Sequence, residues 1–195
     1  MSNSLIISNI TRHIDLTQDE TAFFISLLDS KTIAKREYLL NRGAICRYDS
    51  FITKGCVKVC YTDEKGNECI LKFGPEDWWV IDIDSFLNIK PSFYYIQAVE
   101  DTEVLRLSRS NYDLLYKAIP KFQKFSNERW QTGFIALQQR IMQNLSLTAE
   151  ERYYQFKNKY PGLEQRISQK LIASYLGITP EFLSKLRKKW ATSFS

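Results

Sequence analysis

Apolar residues recur at helical spacing in some stretches of this chain and at alternate positions in others, and the switches divide it into elements. After a short polar start, LTQDETAFFISLL (16–28) sets Phe23, Phe24, Leu27 and Leu28 on one helical face, with Thr17 as N-cap and Glu20 completing a capping box. From 38 to about 107 the period turns toward two, broken by turn residues. CVKVCYT and CILKF flank DEKGNE (63–68), where Lys65-Gly66 marks a hairpin. Short strands spaced roughly ten residues apart predict an antiparallel barrel or jelly roll. RSNYDLLYKAIP (109–120) returns to helix. From 121 to 146 the helical spacing is unbroken, with Phe134, Leu137, Ile141 and Leu145 on one stripe. Such a helix is about 40 Å long, more than one small module covers. Its stripe either packs on the preceding small-strand domain or pairs with a second copy, and the second reading is preferred. Gly133 in mid-helix costs about 1 kcal/mol relative to Ala and permits close backbone approach or a kink.

The last quarter is punctuated more sharply. TAEERYYQFKNKYPG opens with a second capping box, Thr148 and Glu151, and stops at Pro161-Gly162. SQKLIASYLG runs from an N-cap at Ser168 to Gly177, the residue best able to take a left-handed C-cap conformation. Ile178 lies inside the turn, Thr179 supplies the next N-cap oxygen, and Pro180 stands at the first helical position, where its missing N–H is no loss. The following helix divides its faces: Phe182, Leu183, Leu186 and Trp190 suit a small core, while Glu181, Ser184, Lys185 and Lys188 recur on another side.

Charge makes that division informative. Residues 148–195 hold nine Lys and Arg against four Asp and Glu, which is the entire net charge of +5, while residues 1–147 balance. A neutral body with a basic, core-forming end is the footprint of a nucleic-acid module joined to something else. In a helix-turn-helix the second helix offers its N-terminal half to the major groove. Lys185 then donates to guanine acceptors and Glu181 accepts from a cytosine amino group, while Ser168, Gln169, Arg187, Lys188 and Lys189 suit phosphate contacts. An ordinary helical hairpin with a solvated charged face is the competing reading.

A composition of 44% hydrophobic and 25% charged residues is that of an ordinary globular chain. No apolar run of membrane-spanning length and no signal-peptide pattern stands out, so a cytoplasmic protein without a membrane partner is expected. Cys46, Cys56, Cys60 and Cys69 match no zinc or redox spacing and are read as small hydrophobes. His13 is the only histidine, which argues against metal and cofactor sites and against a small-barrel metalloenzyme; no catalytic residue is assigned.

The order of helix, small-strand domain, long helix and terminal ISQKLIASYLGITPEFLSKLRK resembles the Crp/Fnr family of bacterial transcription regulators over nearly the whole chain. The resemblance implies an α+β fold. An N-terminal antiparallel β-roll or jelly roll of cyclic-nucleotide-binding type (1–118) would be flanked by helices, followed by a long connecting and dimerisation helix (119–147) and a winged-helix-like helix-turn-helix domain (148–195). Partners implied are double-stranded DNA at promoter sites, a second copy of the chain, a small-molecule effector and RNA polymerase. The family's three base-contacting positions fall on Pro180, Glu181 and Lys185. Glutamate fits the family pattern and lysine replaces a usual arginine. Proline cannot donate or accept through its side chain, so the target should differ from the best-known operator. With five residues after Trp190, no extra strands are expected there.

Some members bind cyclic AMP through a glycine and an acid, then an arginine followed by a small hydroxyl residue. Here Asp82 falls at the acid, Ile81 at the glycine, and Pro91-Ser92-Phe93 replaces the arginine pair. A phosphate without a bidentate guanidinium loses its strongest partner, although Ser92 or Lys90 could partly substitute. Glu76, Asp77, Asp82 and Asp84 make the loop acidic as well. Trp78, Trp79, Tyr94 and Tyr95 either line a pocket for a flat ligand or fill the barrel core. Trp78, Trp79, Asp82, Lys90, Ser92 and Tyr94 are thus the effector-pocket candidates. A regulator whose effector is not cyclic AMP is the leading expectation, and a cyclic-nucleotide receptor with an altered phosphate cassette is the alternative.

Overall fold

A computed structural model describes residues 2–193, with side chains over 3–189. The elements run α1 (Ser2–Thr11), α2 (Gln18–Ser26), β1 (Leu28–Ile33), β2 (Tyr38–Leu40), β3 (Tyr48–Lys54), β4 (Val57–Thr62), β5 (Glu68–Gly74) and β6 (Trp79–Val80). They continue with α3 (Ile83–Asn88), β7 (Tyr95–Ala98), β8 (Thr102–Ser108), α4 (Arg109–Ala118), α5 (Lys121–Ser146), α6 (Ala149–Lys159), α7 (Gln169–Leu176) and α8 (Pro180–Ser193). The mixed α+β architecture with antiparallel sheets is the one expected.

The strands form two four-stranded sheets, ordered β1-β8-β3-β6 and β2-β7-β4-β5. In the first, β8 is central: Leu28 lies opposite Leu107 on one side, and Phe51 opposite Leu105 on the other. Phe51, Ile52, Val104 and Leu107 from this sheet and Val57, Ile96 and Ala98 from the other are almost wholly buried. Close approach of the sheets sets the residue at Gly74, where a Cβ would stand 2.5 Å from Val80 and 3.2 Å from Val57. Four consecutive residues are buried in β3 and four in β4, so alternation along these strands is weak.

The chain divides into two compact units, residues 1–59 with 73–134, and residues 60–72 with 135–195. In the first, α1 covers the sheet through Ile6 and Ile10, both fully buried. Asn9 of α1 donates to the Asp77 carboxylate at 2.9 Å and accepts from the Trp79 indole N–H at 3.1 Å, while Arg12 pairs with Asp77 at 2.7 Å. The polar start of the sequence is therefore a helix, not a loose lead-in. In α2 the expected capping box at Thr17 and Glu20 is present and Phe24 is buried, but Phe23 is exposed and Leu28 already belongs to β1.

In the second unit an aromatic cluster replaces a sheet as the core. Phe156 packs within 5.5 Å of both Tyr160 and Tyr175, among buried Leu163, Ile172, Leu176, Leu183 and Leu186. The hairpin tip at 60–72 is held to this unit by its carbonyls. Arg140 donates to those of Leu71 and Ile70, the latter at 2.8 Å, and Ser174 donates to that of Glu68 at 2.7 Å. The Thr148–Glu151 capping box that opens α6 is formed in both directions. Cys46, Cys56 and Cys60 are buried as small apolar side chains, and burial pushes the Cys46 thiol up to about 11.

Candidate functional site

The turn between α7 and α8 has the geometry its residues dictate. Gly177 sits in the left-handed region at φ 67°, ψ 36°. The N–H of Ile178 reaches back to the Ala173 carbonyl at 3.0 Å and that of Gly177 to Ser174 at 3.3 Å, the paired closure of a Schellman motif. Two residues on, the Thr179 hydroxyl accepts from the Phe182 N–H at 3.2 Å and its carbonyl from Leu183 at 3.0 Å. One helix is capped as the next begins, with Ile178 half-buried between them. Ser168 is the N-cap of α7 by backbone conformation, but its side chain makes no capping bond, which leaves the hydroxyl outward with Gln169.

Burial sorts the second helix as its periodicity does. Leu183 and Leu186 are buried, whereas Thr179, Pro180, Glu181, Lys185, Lys188 and Lys189 are exposed and Ser184 and Arg187 half-buried. Phe182, expected inside, is 45% exposed, because it lies one position outside the Leu183–Leu186 line. The side chain of Trp190 lies outside the described residues. Glu181 has its carboxyl held below the usual range by its own backbone N–H and by the Thr179 hydroxyl, so it is an acceptor at neutral pH. Lys189 pairs with Glu150 at 3.1 Å, with both groups largely solvated. This end of the chain thus presents a short, cation-rich helix face beside an outward-facing helix N-terminus.

Along α5 the predicted stripe is present and exposed among the described residues. Phe134, Leu137, Ile141 and Leu145 are 61%, 51%, 52% and 84% exposed, and Met142 adds to the patch. A contiguous apolar strip on a helix of about seven turns is a surface for association.

Most of the effector candidates are occupied by their neighbours. Asp82 is buried and caps α3 by accepting from the Ser85 N–H at 3.2 Å. Its other oxygen takes the Ser92 hydroxyl at 2.5 Å, and the same hydroxyl accepts from the Tyr94 N–H at 3.0 Å. Backbone bonds from Gly43 to Ser92 and from Ser92 to Ala44 fasten this segment to the loop before β3. Lys90 points away and pairs with Asp84 at 2.7 Å, in the open. Trp79 is a core residue, 5.2 Å from Phe51, while Trp78 and Tyr94 are half-buried. A cavity of about 210 Å³ opens elsewhere in the roll, among Leu40, Cys46, Tyr48, Ser50, Val80 and Ile96, with Arg47 and Arg106 at its wall. None of the six candidates lines it. Its size falls below the roughly 300–1,000 Å³ of most small-molecule sites.

Sequence reasoning missed a buried ion pair beneath Trp79. Asp49, fully buried on β3, accepts from both amino groups of Arg129 on α5 and from the Tyr112 hydroxyl at 2.8 Å. The guanidinium lies 4.6 Å from the Trp79 ring centre. Burial and the Asp49 charge push the Tyr112 phenol well above its ordinary value; on Arg129 burial pulls down but the Asp49 carboxylate wins. These residues lie up to 80 positions apart, and no local pattern marks them.

Known proteins share this architecture. The family model described as the cyclic nucleotide-binding domain matches residues 30–118. Among solved structures, the c-di-GMP-responsive global regulator CLP of Xanthomonas campestris superposes with a TM-score of 0.71 at 11% identity, covering 91% of this chain and 93% of that one. FixK2 of Bradyrhizobium japonicum gives 0.69 at 20% identity, with 85% of each chain covered. A structure described as a Crp/Fnr-family transcriptional regulator from Eubacterium rectale gives 0.69 at 18%, covering 92% of this chain and 85% of its own. No curated protein matches the sequence. Residues 30–118 are therefore similar to the cyclic nucleotide-binding domain, and the chain shares its fold with these solved structures.

Proposed function

We propose that this chain is a sequence-specific DNA-binding transcription regulator that works as a homodimer. The observation that carries the reading is the α7–turn–α8 pair, capped at both ends of its turn and exposing Glu181, Lys185 and Lys188 on one side. Lys185 and Glu181 read base edges; Ser168, Gln169, Arg187, Lys188 and Lys189 hold phosphates. Pro180 fixes the helix start, Thr179 caps it, and Ser184 lies between the reading residues. Two copies joined along Phe134, Leu137 and Ile141 bring two such helices to successive major grooves, about 34 Å apart. The three-part organisation, with a sensor over 1–118, a connecting helix over 119–147 and a DNA-binding domain over 148–195, is part of the same proposal. So are a cytoplasmic location, RNA polymerase as a promoter partner and the lack of enzymatic activity. No described helix is long and apolar enough to cross a membrane.

Selection of bound sequences from random duplexes tests the reading. Enrichment of a palindrome with half-sites one turn apart is expected, and failure to enrich any sequence would overturn it.

In this proposal the β-roll does not take cyclic AMP. Removing a phosphodiester from water costs several kcal/mol unless a charge and hydrogen bonds replace the solvation. Asp82 is committed to Ser85 and Ser92, Lys90 to Asp84, and Pro91-Ser92-Phe93 holds no arginine. One observation favours the alternative of a cyclic-nucleotide receptor, the family match over 30–118. Calorimetric titration separates the two: no binding at millimolar cyclic AMP is expected, and a micromolar dissociation constant would establish the receptor.

A further inference from the structure

A cavity of about 370 Å³ lies wholly within the unit formed by residues 60–72 and 135–195. Three helices line it. Gln139, Arg140 and Gln143 come from α5, on positions three and four apart that form one face; Arg152, Gln155 and Lys159 come from α6 at the same spacing, and Tyr175 of α7 closes it. The wall holds three cations, several carboxamides and no carboxylate.

No ion pair offsets that charge among the described residues. Arg140 spends its donors on the neutral carbonyls of Ile70, Leu71 and Tyr175, with its guanidinium stacked 3.7 Å from the Tyr175 ring centre. Arg152 donates one amino group to the Leu147 carbonyl at 2.7 Å, and its Nε is buried with no hydrogen-bond partner among the described residues. Lys159 makes no hydrogen bond among the described residues; it faces the Tyr160 ring at 5.6 Å. Burial and the neighbouring Arg140 charge both lower its pKa, as happens when cations are gathered without a counter-charge. Gathering cations in a partly buried site without a counter-charge is costly, and an anion is the ligand that offsets all three together.

We propose that this cavity is a binding site for a small multiply charged anion, a phosphorylated metabolite carrying at least two negative charges. A singly charged ion would leave two of three cations unmatched. A concave site of this volume suits a small molecule rather than a DNA strand, which meets convex helix surfaces. The lining comes from α5, α6 and α7, none of which supplies a β-roll effector candidate, and the proposal does not rest on whether the β-roll takes a ligand.

Titration calorimetry on the full chain with inorganic pyrophosphate, at ionic strength held constant with chloride, tests the proposal. Binding with a dissociation constant at or below about 1 mM is expected. Arg152→Gln with Lys159→Gln should weaken it at least tenfold, and Lys185→Ala, a charge change of the same kind outside the cavity, should not. Should the double variant fail to fold, Lys159→Gln alone removes no hydrogen bond and still weakens binding. The Lys159 ammonium, followed by NMR, should titrate at higher pH with pyrophosphate present. Pyrophosphate heats no larger than those of chloride, or equal affinity in the variants, would overturn the site. So would displacement of pyrophosphate by duplex DNA together with a matching loss of DNA affinity in the variants, which would make these cations backbone contacts.

Discussion

Arg129→Met is the most demanding test of how the sensor end is held together. The substitution keeps most of the aliphatic stem but removes a guanidinium that faces a fully buried carboxylate and lies over Trp79. Asp49 would retain the Tyr112 hydroxyl and nothing of opposite charge. Breaking a buried pair by taking one partner costs about 3–5 kcal/mol, and loss of the cation–π contact adds about 0.5–2 kcal/mol. Solvent reaches 14% of the Arg129 side chain and none of Asp49, so little of this is relieved by water. A total of about 5 kcal/mol is a large share of an ordinary domain's stability. Adding Asp49→Asn should return more than half of the loss, since an amide keeps the Tyr112 bond and carries no charge. Urea unfolding followed by tryptophan fluorescence, at one fixed protomer concentration, measures both variants. A single-variant cost below about 1 kcal/mol, or a double variant no more stable than Arg129→Met, would refute the reasoning.

Three further outcomes are expected. Lys185→Ala should weaken binding to a specific site by about 1–3 kcal/mol and relax base preference, whereas Lys188→Ala should weaken all duplexes alike and flatten the salt dependence, as read by gel shift at several salt concentrations. Leu137→Glu or Ile141→Glu should yield monomers in analytical ultracentrifugation, because each dimer would gain two carboxylates on an apolar seam; an unchanged sedimentation coefficient would disprove the seam. Glu20 has its carboxyl held below the usual range by the Lys121 ammonium and the Thr17 N–H, and Glu151 by Thr148. Their folded pKa values lie below the unfolded ones, so their stabilisation is present above the usual carboxylate range and is lost as pH falls through the depressed values. Denaturation curves of Glu20→Gln should therefore approach those of the parent at acid pH and separate near neutrality.

Local signals were legible in the sequence wherever a few adjacent residues settle the backbone. Both capping boxes, the Gly177–Pro180 punctuation and the limits of α5 follow from residues within one turn of each other. Elements that depend on distant partners were not. In α1 Ile6 and Ile10 are buried one turn apart, but Leu5 and Ile7 stand beside them, so the short apolar run LII carries no helical period. α3 is six residues long and is held by Asp82 at its start and by Arg109 on its last carbonyls, a residue more than twenty positions away. The cassette departures were visible as letters, but that Ser92 turns back onto Asp82 depends on the backbone bonds to residues 43 and 44. Arg140, Arg152 and Lys159 read one by one as ordinary surface cations, and only the packing of three helices gathers them.

The carbonyls of Glu68, Ile70 and Leu71, held by Ser174 and Arg140, bear on how this chain can be recombined. The chain enters one compact unit, leaves it for thirteen residues at the hairpin tip, returns, and departs again within α5. No single cut between neighbouring residues yields both units whole. A chimera that grafts another sensor ahead of residues 135–195 would present a foreign hairpin to Arg140 and Ser174. The transplantable piece is discontinuous: residues 60–72 must travel with the C-terminal helices as a matched set, and exchange of the two halves succeeds only when the hairpin is counted with the half it contacts rather than the half it interrupts.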